Sequence, residues 1–185
     1  MPIDPALARR IRLVVLDVDG VLTDNGIWVG PVAGERVELK RFDIQDGLGV
    51  VLLRTAEIPV VWLSGRHSEA TALRAHELRI EELLQVSGPR KLEALGELLA
   101  RRGIEWEEVA YAGDDLADLQ VLRRVGLPIA VPNAVPEVRA VAAFVTRAPG
   151  GHGAVREMVE ALLKARGVWA EMLERHFTES APRAR

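Results

Sequence analysis

LVVLDVDGVLTD, residues 13–24, runs a short branched apolar stretch into three aspartates, Asp17, Asp19 and Asp24. The first part, LVVLDV (13–18), reads as a buried strand: brief, rich in β-branched residues and closed by the turn pair Asp19-Gly20. A buried strand that delivers like charges to one end sets up a repulsion that some partner has to relieve. Asp17 and Asp19 are two residues apart, so in extended backbone their side chains leave on the same side.

The same alternation continues outward. PVVWLSG (59–65), LLQV (83–86), VAYAG (109–113), LPIAV (127–131) and AAFVT (142–146) read as further strands. Between them DGLGVVLLRTAE (46–57), SEATALRAHEL (68–78), RKLEALGELLARRG (90–103), DLADLQVLRRVG (115–126) and GAVREMVEALLKARG (153–167) carry helical spacing, several closed by glycine. Strands alternating with helices predict an α/β fold of right-handed units: a Rossmann-like three-layer sandwich with a mainly parallel sheet. NGIWVGPVAGERVELKRF (25–42) breaks the rhythm with two alternating runs around a turn-rich centre, and reads as an inserted β-hairpin. Its apolar Ile27, Val29, Val37 and Leu39 need burial that a two-stranded ribbon cannot supply, so it is expected to pack on another subunit; the alternative is a hairpin folded back on its own domain.

The 185 residues suit one domain, expected over 1–185 with a core at about 10–166 and a tail at about 167–185 that starts helical and ends in a polar, disordered stretch. Half the residues are hydrophobic, yet no run approaches the ~20 residues of a membrane span. Net charge is −3 with basic residues scattered, which gives no electrostatic case for nucleic acid or an anionic membrane. Cysteine is absent, which rules out disulfides and thiolate metal sites. The start, MPIDPALARRIR, lacks a secretion signal's apolar core and reads as a short leader, so the expected address is the cytoplasm.

Ligands of open α/β sheets bind beyond the carboxyl ends of the strands. Asp17 and Asp19, then Ser64-Gly65-Arg66, then Gly113-Asp114-Asp115 all fall at such ends, and Lys91 opens a helix on the same rim. Clustered carboxylates call for a hard cation, and all-oxygen ligands suit Mg2+, which fills its shell with water and substrate phosphate. Asp17 can then attack phosphorus, with Asp19 protonating the leaving oxygen and later deprotonating water. Ser64 can hold a phosphoryl oxygen, and Lys91 can neutralise the transferring group. Each element alone has a plainer reading: an Asx turn, a helix cap, a solvated lysine. Gly150, Gly151 and Gly153 ahead of a helix form either an anion-binding nest or a flexible turn.

The ordered set Asp17-Val-Asp19-Gly20-Val21-Leu22-Thr23, Ser64, Lys91 and Gly113-Asp114-Asp115-Leu-Ala-Asp118 resembles the four motifs of the haloacid dehalogenase superfamily. DVDGVLTDNGIWVG, KRFDIQDGLGV, LSGR, YAGDDLADL and TRAPGGHGAVREM are further similar to its capless branch, which contains the 3-deoxy-D-manno-octulosonate 8-phosphate phosphatases of lipopolysaccharide biosynthesis. The resemblance implies a Mg2+-dependent phosphatase of a 2-keto-3-deoxy sugar acid phosphate, working through an aspartyl-phosphate. Mg2+ would touch the side chains of Asp17 and Asp114 and the carbonyl of Asp19, with Asp118 behind them. Substrate would meet Asp19, Asp43, Asp46, Gly47, Gly65, Arg66, Arg74 and Lys91. The partner implied is its own chain: a homotetramer whose hairpins form a central barrel and whose neighbouring subunits help close each site. Gln45, Val51 and His152 stand where the octulosonate enzymes usually carry arginine, which keeps a nonulosonate 9-phosphate or another sugar phosphate open; Lys40, Arg41 or Arg147 offer replacement cations. A non-catalytic assembly or regulatory domain would expect decay of Asp17, Asp19, Ser64 or Lys91, and all four are present.

Overall fold

In the computed structural model residues 2–180 are described. Along the chain run α1 (Pro5–Arg10), β1 (Leu13–Leu16), β2 (Trp28–Val32), β3 (Glu35–Leu39), α2 (Ile44–Thr55), β4 (Val60–Ser64), α3 (Glu69–Glu77) and β5 (Glu82–Gln85). Then follow α4 (Lys91–Arg102), β6 (Val109–Gly113), α5 (Leu119–Leu122), β7 (Leu127–Ala130), α6 (Pro136–Val141), β8 (Phe144–Val145), α7 (Ala154–Arg166) and α8 (Trp169–Ser180). β1, β4 and β6 are buried at every position, as expected of strands covered on both faces. The parallel sheet has the order β5-β4-β1-β6-β7-β8, so β1 is central and the chain builds first to one side of it, then to the other. Leu16 stands opposite Trp62 of β4 and Ala112 of β6. The carboxyl ends of β1, β4 and β6 therefore finish level, at the reversal of strand order where such sheets bind ligands.

The hairpin is present as β2 and β3, paired antiparallel from Trp28↔Leu39 to Val32↔Glu35. Its turn is narrower than the sequence suggests: Ala33 and Gly34 alone make it, both at positive φ, as a two-residue connection requires. Where a leader was expected, residues 5–10 form α1, which Asp4 caps by accepting the Ala6 N–H; Arg166 of α7 then donates to the Ala8 and Ile11 carbonyls. The helix expected over 115–126 is a 3-10 turn at Leu116–Asp118 followed by the short α5, because Asp115 and Asp118 bind back onto backbone N–H groups. The unpredicted α6 starts on Pro136 and is too short to show a periodicity. The tail begins as the helix α8, whose Met172 is buried; the polar end expected beyond it lies outside the described residues. Among the described residues no helix is long and apolar enough to cross a membrane.

Candidate active site

β1 ends in the ladder bond from the Asp17 N–H to the Ala112 carbonyl, which aims Asp17 at the end of β6. The chain then turns sharply: the Leu22 and Thr23 N–H groups both bond the Val18 carbonyl, and Thr23 Oγ1 accepts from the Gly20 N–H. Gly20 has φ +95°, and a Cβ there would collide with the Asp114 carboxylate, so only glycine lets the two loops approach.

In the 3-10 turn after β6, Asp118 gathers the site. Its Oδ2 accepts the N–H groups of Asp114 (3.0 Å) and Asp115 (3.2 Å). Its Oδ1 accepts from Tyr111 Oη (2.6 Å) and Lys91 Nζ (2.7 Å). Both oxygens are fully engaged, so Asp118 has no lone pair left for a metal. Lys91, buried at the start of α4, also donates to Asp17 Oδ1 at 2.6 Å.

Oxygens of Asp17, Asp114 and Asp118 come within 4.8 Å of one another, all on buried residues. Burial, then the Asp118 charge, pushes Asp17 well above the usual carboxylate range. The same two causes, in the same order, raise Asp114 to about 7, helped by Asp115. Burial alone would depress Lys91, but Asp17 and Asp118 outweigh it and keep it protonated. Three carboxylates thus face one ammonium, an imbalance that a divalent cation would cancel. Asp114 Oδ1 is buried without a hydrogen-bond partner among the described residues. A hard cation fits this donor set: Asp17 and Asp114 have oxygen capacity to spare, and Asp118 does not.

The cleft above them, about 200 Å3, is lined by Asp17, Asp19, Gly65, Arg66, Lys91 and Asp114, with Asn25 at its edge. Ser64 is buried at the end of β4, where its hydroxyl donates to the Arg66 carbonyl and accepts the Arg66 N–H. Arg66 itself is held by both oxygens of Glu38, at 2.7 and 3.3 Å. Four of the sequence-predicted substrate residues do not line this cleft. Asp43 caps α2 through the Gln45 N–H, Gly47 lies against Arg74, and Arg74 pairs with Glu77 at 2.7 Å. Asp46 sends its carboxylate to the N–H groups of Gly153 (3.3 Å) and Arg156 (2.8 Å). That corrects the nest reading of Gly150–Gly153 as well, because the anion at this helix start is an internal carboxylate. Tyr111, Glu38 and Asn133, which ties the Gly20 carbonyl to the Gly150 N–H, were missed. The alternation of Glu38 and Lys40 with apolar Val37 and Leu39 was the one sequence signal for any of them.

The family model for haloacid dehalogenase-like hydrolases matches residues 62–158. The 3-deoxy-D-manno-octulosonate 8-phosphate phosphatase KdsC of Escherichia coli (strain K12) is 44% identical over 162 residues, covering 88% of this chain and 84% of that protein. The crystal structure of the 3-deoxy-D-manno-octulosonate 8-phosphate phosphatase from Moraxella catarrhalis, in complex with magnesium ion, phosphate ion and KDO, superposes with a TM-score of 0.87 at 39% identity. That match covers 93% of this chain and 97% of the other. The cobalt-bound deoxy-D-mannose-octulosonate 8-phosphate phosphatase of Haemophilus influenzae gives a TM-score of 0.81 at 33% identity, over 91% and 99%.

Proposed function

The chain belongs to the haloacid dehalogenase-like hydrolases, and we propose that it is a Mg2+-dependent phosphatase that hydrolyses 3-deoxy-D-manno-octulosonate 8-phosphate. The observation that carries this reading is the buried Asp17–Lys91–Asp118 chain beside Asp114, whose unpartnered oxygen and uncompensated charge suit a divalent cation and a phosphate.

Asp17, Asp114 and the Asp19 carbonyl would hold Mg2+. When bound, the ion supplies charge neutralisation and orientation for the phosphoryl oxygens. Asp17 attacks phosphorus, the bond to the sugar oxygen breaks, and that oxygen takes the proton of the Asp19 carboxyl. The product is an aspartyl-phosphate on Asp17. Asp19 then accepts a proton from water as the water oxygen attacks phosphorus, the phosphorus–Asp17 bond breaks, and inorganic phosphate leaves. Lys91 balances the charge of Asp17 and of the transferring group, while Ser64 offers its hydroxyl to a phosphoryl oxygen. Gly65 and Arg66 meet the sugar acid. Arg74, Asp43, Asp46 and Gly47 shape the mouth at the start of α2, Asp46 by holding the glycine loop.

We also read the chain as a single cytoplasmic domain over 1–185 that assembles through its hairpin into a homotetramer. Ile27, Trp28, Val29, Val32 and Leu39 support this, being 47–73% exposed on one small ribbon. Phosphate release with Mg2+ from a panel of 3-deoxy-octulosonate 8-phosphate, nonulosonate 9-phosphates and hexose phosphates tests the assignment. Preference for the octulosonate ester is expected. Turnover concentrated on another ester would place the substrate elsewhere and make Gln45, Val51 and His152 the residues that changed it.

A further inference from the structure

Lys40 follows β3 directly, and its side chain has no exposed surface. Burying an ammonium is costly unless partners replace its water. Those partners are Asp19 Oδ1 at 2.6 Å, a close ion pair without hydrogen-bond alignment, Thr71 Oγ1 at 3.0 Å, and Glu38 Oε1 at 3.9 Å. Glu38 and Lys40 are two residues apart and project to the same side of the ribbon, toward the cleft. Glu38 there grips Arg66 and accepts from Ser68 Oγ at 2.6 Å. Thr71, fully buried on α3, holds Nζ by accepting its hydrogen bond.

Asp19 lies in the turn after β1, and Lys40 supplies its only ion pair among the described residues. Its Oδ1 is buried against the lysine while the side chain keeps 19% exposure and lines the cleft. We infer that Lys40 is a positioning residue for the proton-transfer step: it clamps one oxygen of Asp19 so that the other is presented to the leaving oxygen and then to water. The clamp comes from outside the aspartate loop, so the inserted ribbon sets the geometry of the acid–base group as well as offering an apolar face for assembly. This rests on the reading of Asp19 as acid and base.

The test compares Lys40→Met and Lys40→Arg with wild type, as full chains with Mg2+, on two esters. The sugar phosphate releases an alkoxide that needs a proton; p-nitrophenyl phosphate releases a phenolate that does not. In Lys40→Met, kcat on the sugar ester should fall about ten- to a hundredfold, within the range general acid–base catalysis supplies, with KM within about threefold. The initial burst of nitrophenolate, which reports attack by Asp17 alone, should stay within about threefold of wild type on the same argument. Lys40→Arg should recover part of the sugar-ester kcat. Thr71→Val, which removes the hydroxyl steering Nζ and touches neither Asp19 nor substrate, should shift the same ratio by a smaller factor even if Lys40→Met fails to fold. Equal losses in sugar-ester kcat and in the nitrophenolate burst, or no loss on the sugar ester, would overturn the positioning role. Asp19→Ala run in parallel separates the two layers. If it also spares the sugar ester, the acid–base reading has failed; if it abolishes that turnover while Lys40→Met does not, the clamp alone has failed.

Discussion

Tyr111 donates to Asp118 Oδ1 from a fully buried position on β6, and Asp118 in turn holds Lys91 and two backbone N–H groups. Tyr111→Phe removes that donor without changing the shape of the core. A loss of about 1–2 kcal/mol in stability by denaturant unfolding is expected, the cost of a buried acceptor left short of a partner. A several-fold drop in kcat should accompany it as the Asp118–Lys91 contact loosens. Asp46 makes a pH prediction. Burial, ahead of the nearby Asp43 charge, raises it to about 6 despite its backbone hydrogen bonds. The folded state therefore takes up a proton at higher pH than the unfolded chain, whose carboxyl titrates near 3.9. Stability from this group grows as pH falls through 6, by up to ~1.4 kcal/mol per unit, and levels off below the unfolded value. Asp46→Asn lacks this linkage, so the melting temperature of wild type relative to the variant should rise between pH 7.5 and pH 5. A flat difference would mean that Asp46 titrates normally.

At the scale of elements, the ribbon of β2 and β3 stands apart. The sheet strands β1, β4 and β6 are buried throughout, while Trp28 in β2 is 73% exposed and Leu39 in β3 61% exposed. Ile27→Asp combined with Val37→Asp should leave the parallel sheet intact and disperse the assembly, read as a monomer by sedimentation at micromolar concentration. Activity should fall at least tenfold if neighbouring chains close the site. A wild-type protein that sediments as a monomer would remove the basis for this prediction. The central strands β1, β4 and β6 could be read from short apolar runs because burial on both faces leaves an uninterrupted apolar signature. α1, α6 and the split of 115–126 could not, because capping side chains and a proline start decide them over one or two turns.

For the whole molecule, Mg2+ binding should be visible in stability as well as in turnover. A ligand at about a hundred times its dissociation constant adds ~2.7 kcal/mol to the folded state. For a chain of this size that is a rise of about 5–10 °C in melting temperature. Asp114→Asn should abolish most of the rise. An undiminished shift would place the cation away from the Asp17–Asp114 pair. The chain by itself determined the strand–helix alternation, the inserted ribbon and the order of polar groups at strand ends, since each is written in local periodicity and turn chemistry. Only the tertiary structure decided which groups serve which others. Asp118 is saturated by four donors from β6, the loop after it and α4, and Asp46 caps α7 more than a hundred residues away. Glu38 and Lys40 reach back from the ribbon to Arg66 and Asp19. Those pairings depend on strand order and on the distance between loops, which residue spacing along one chain does not encode.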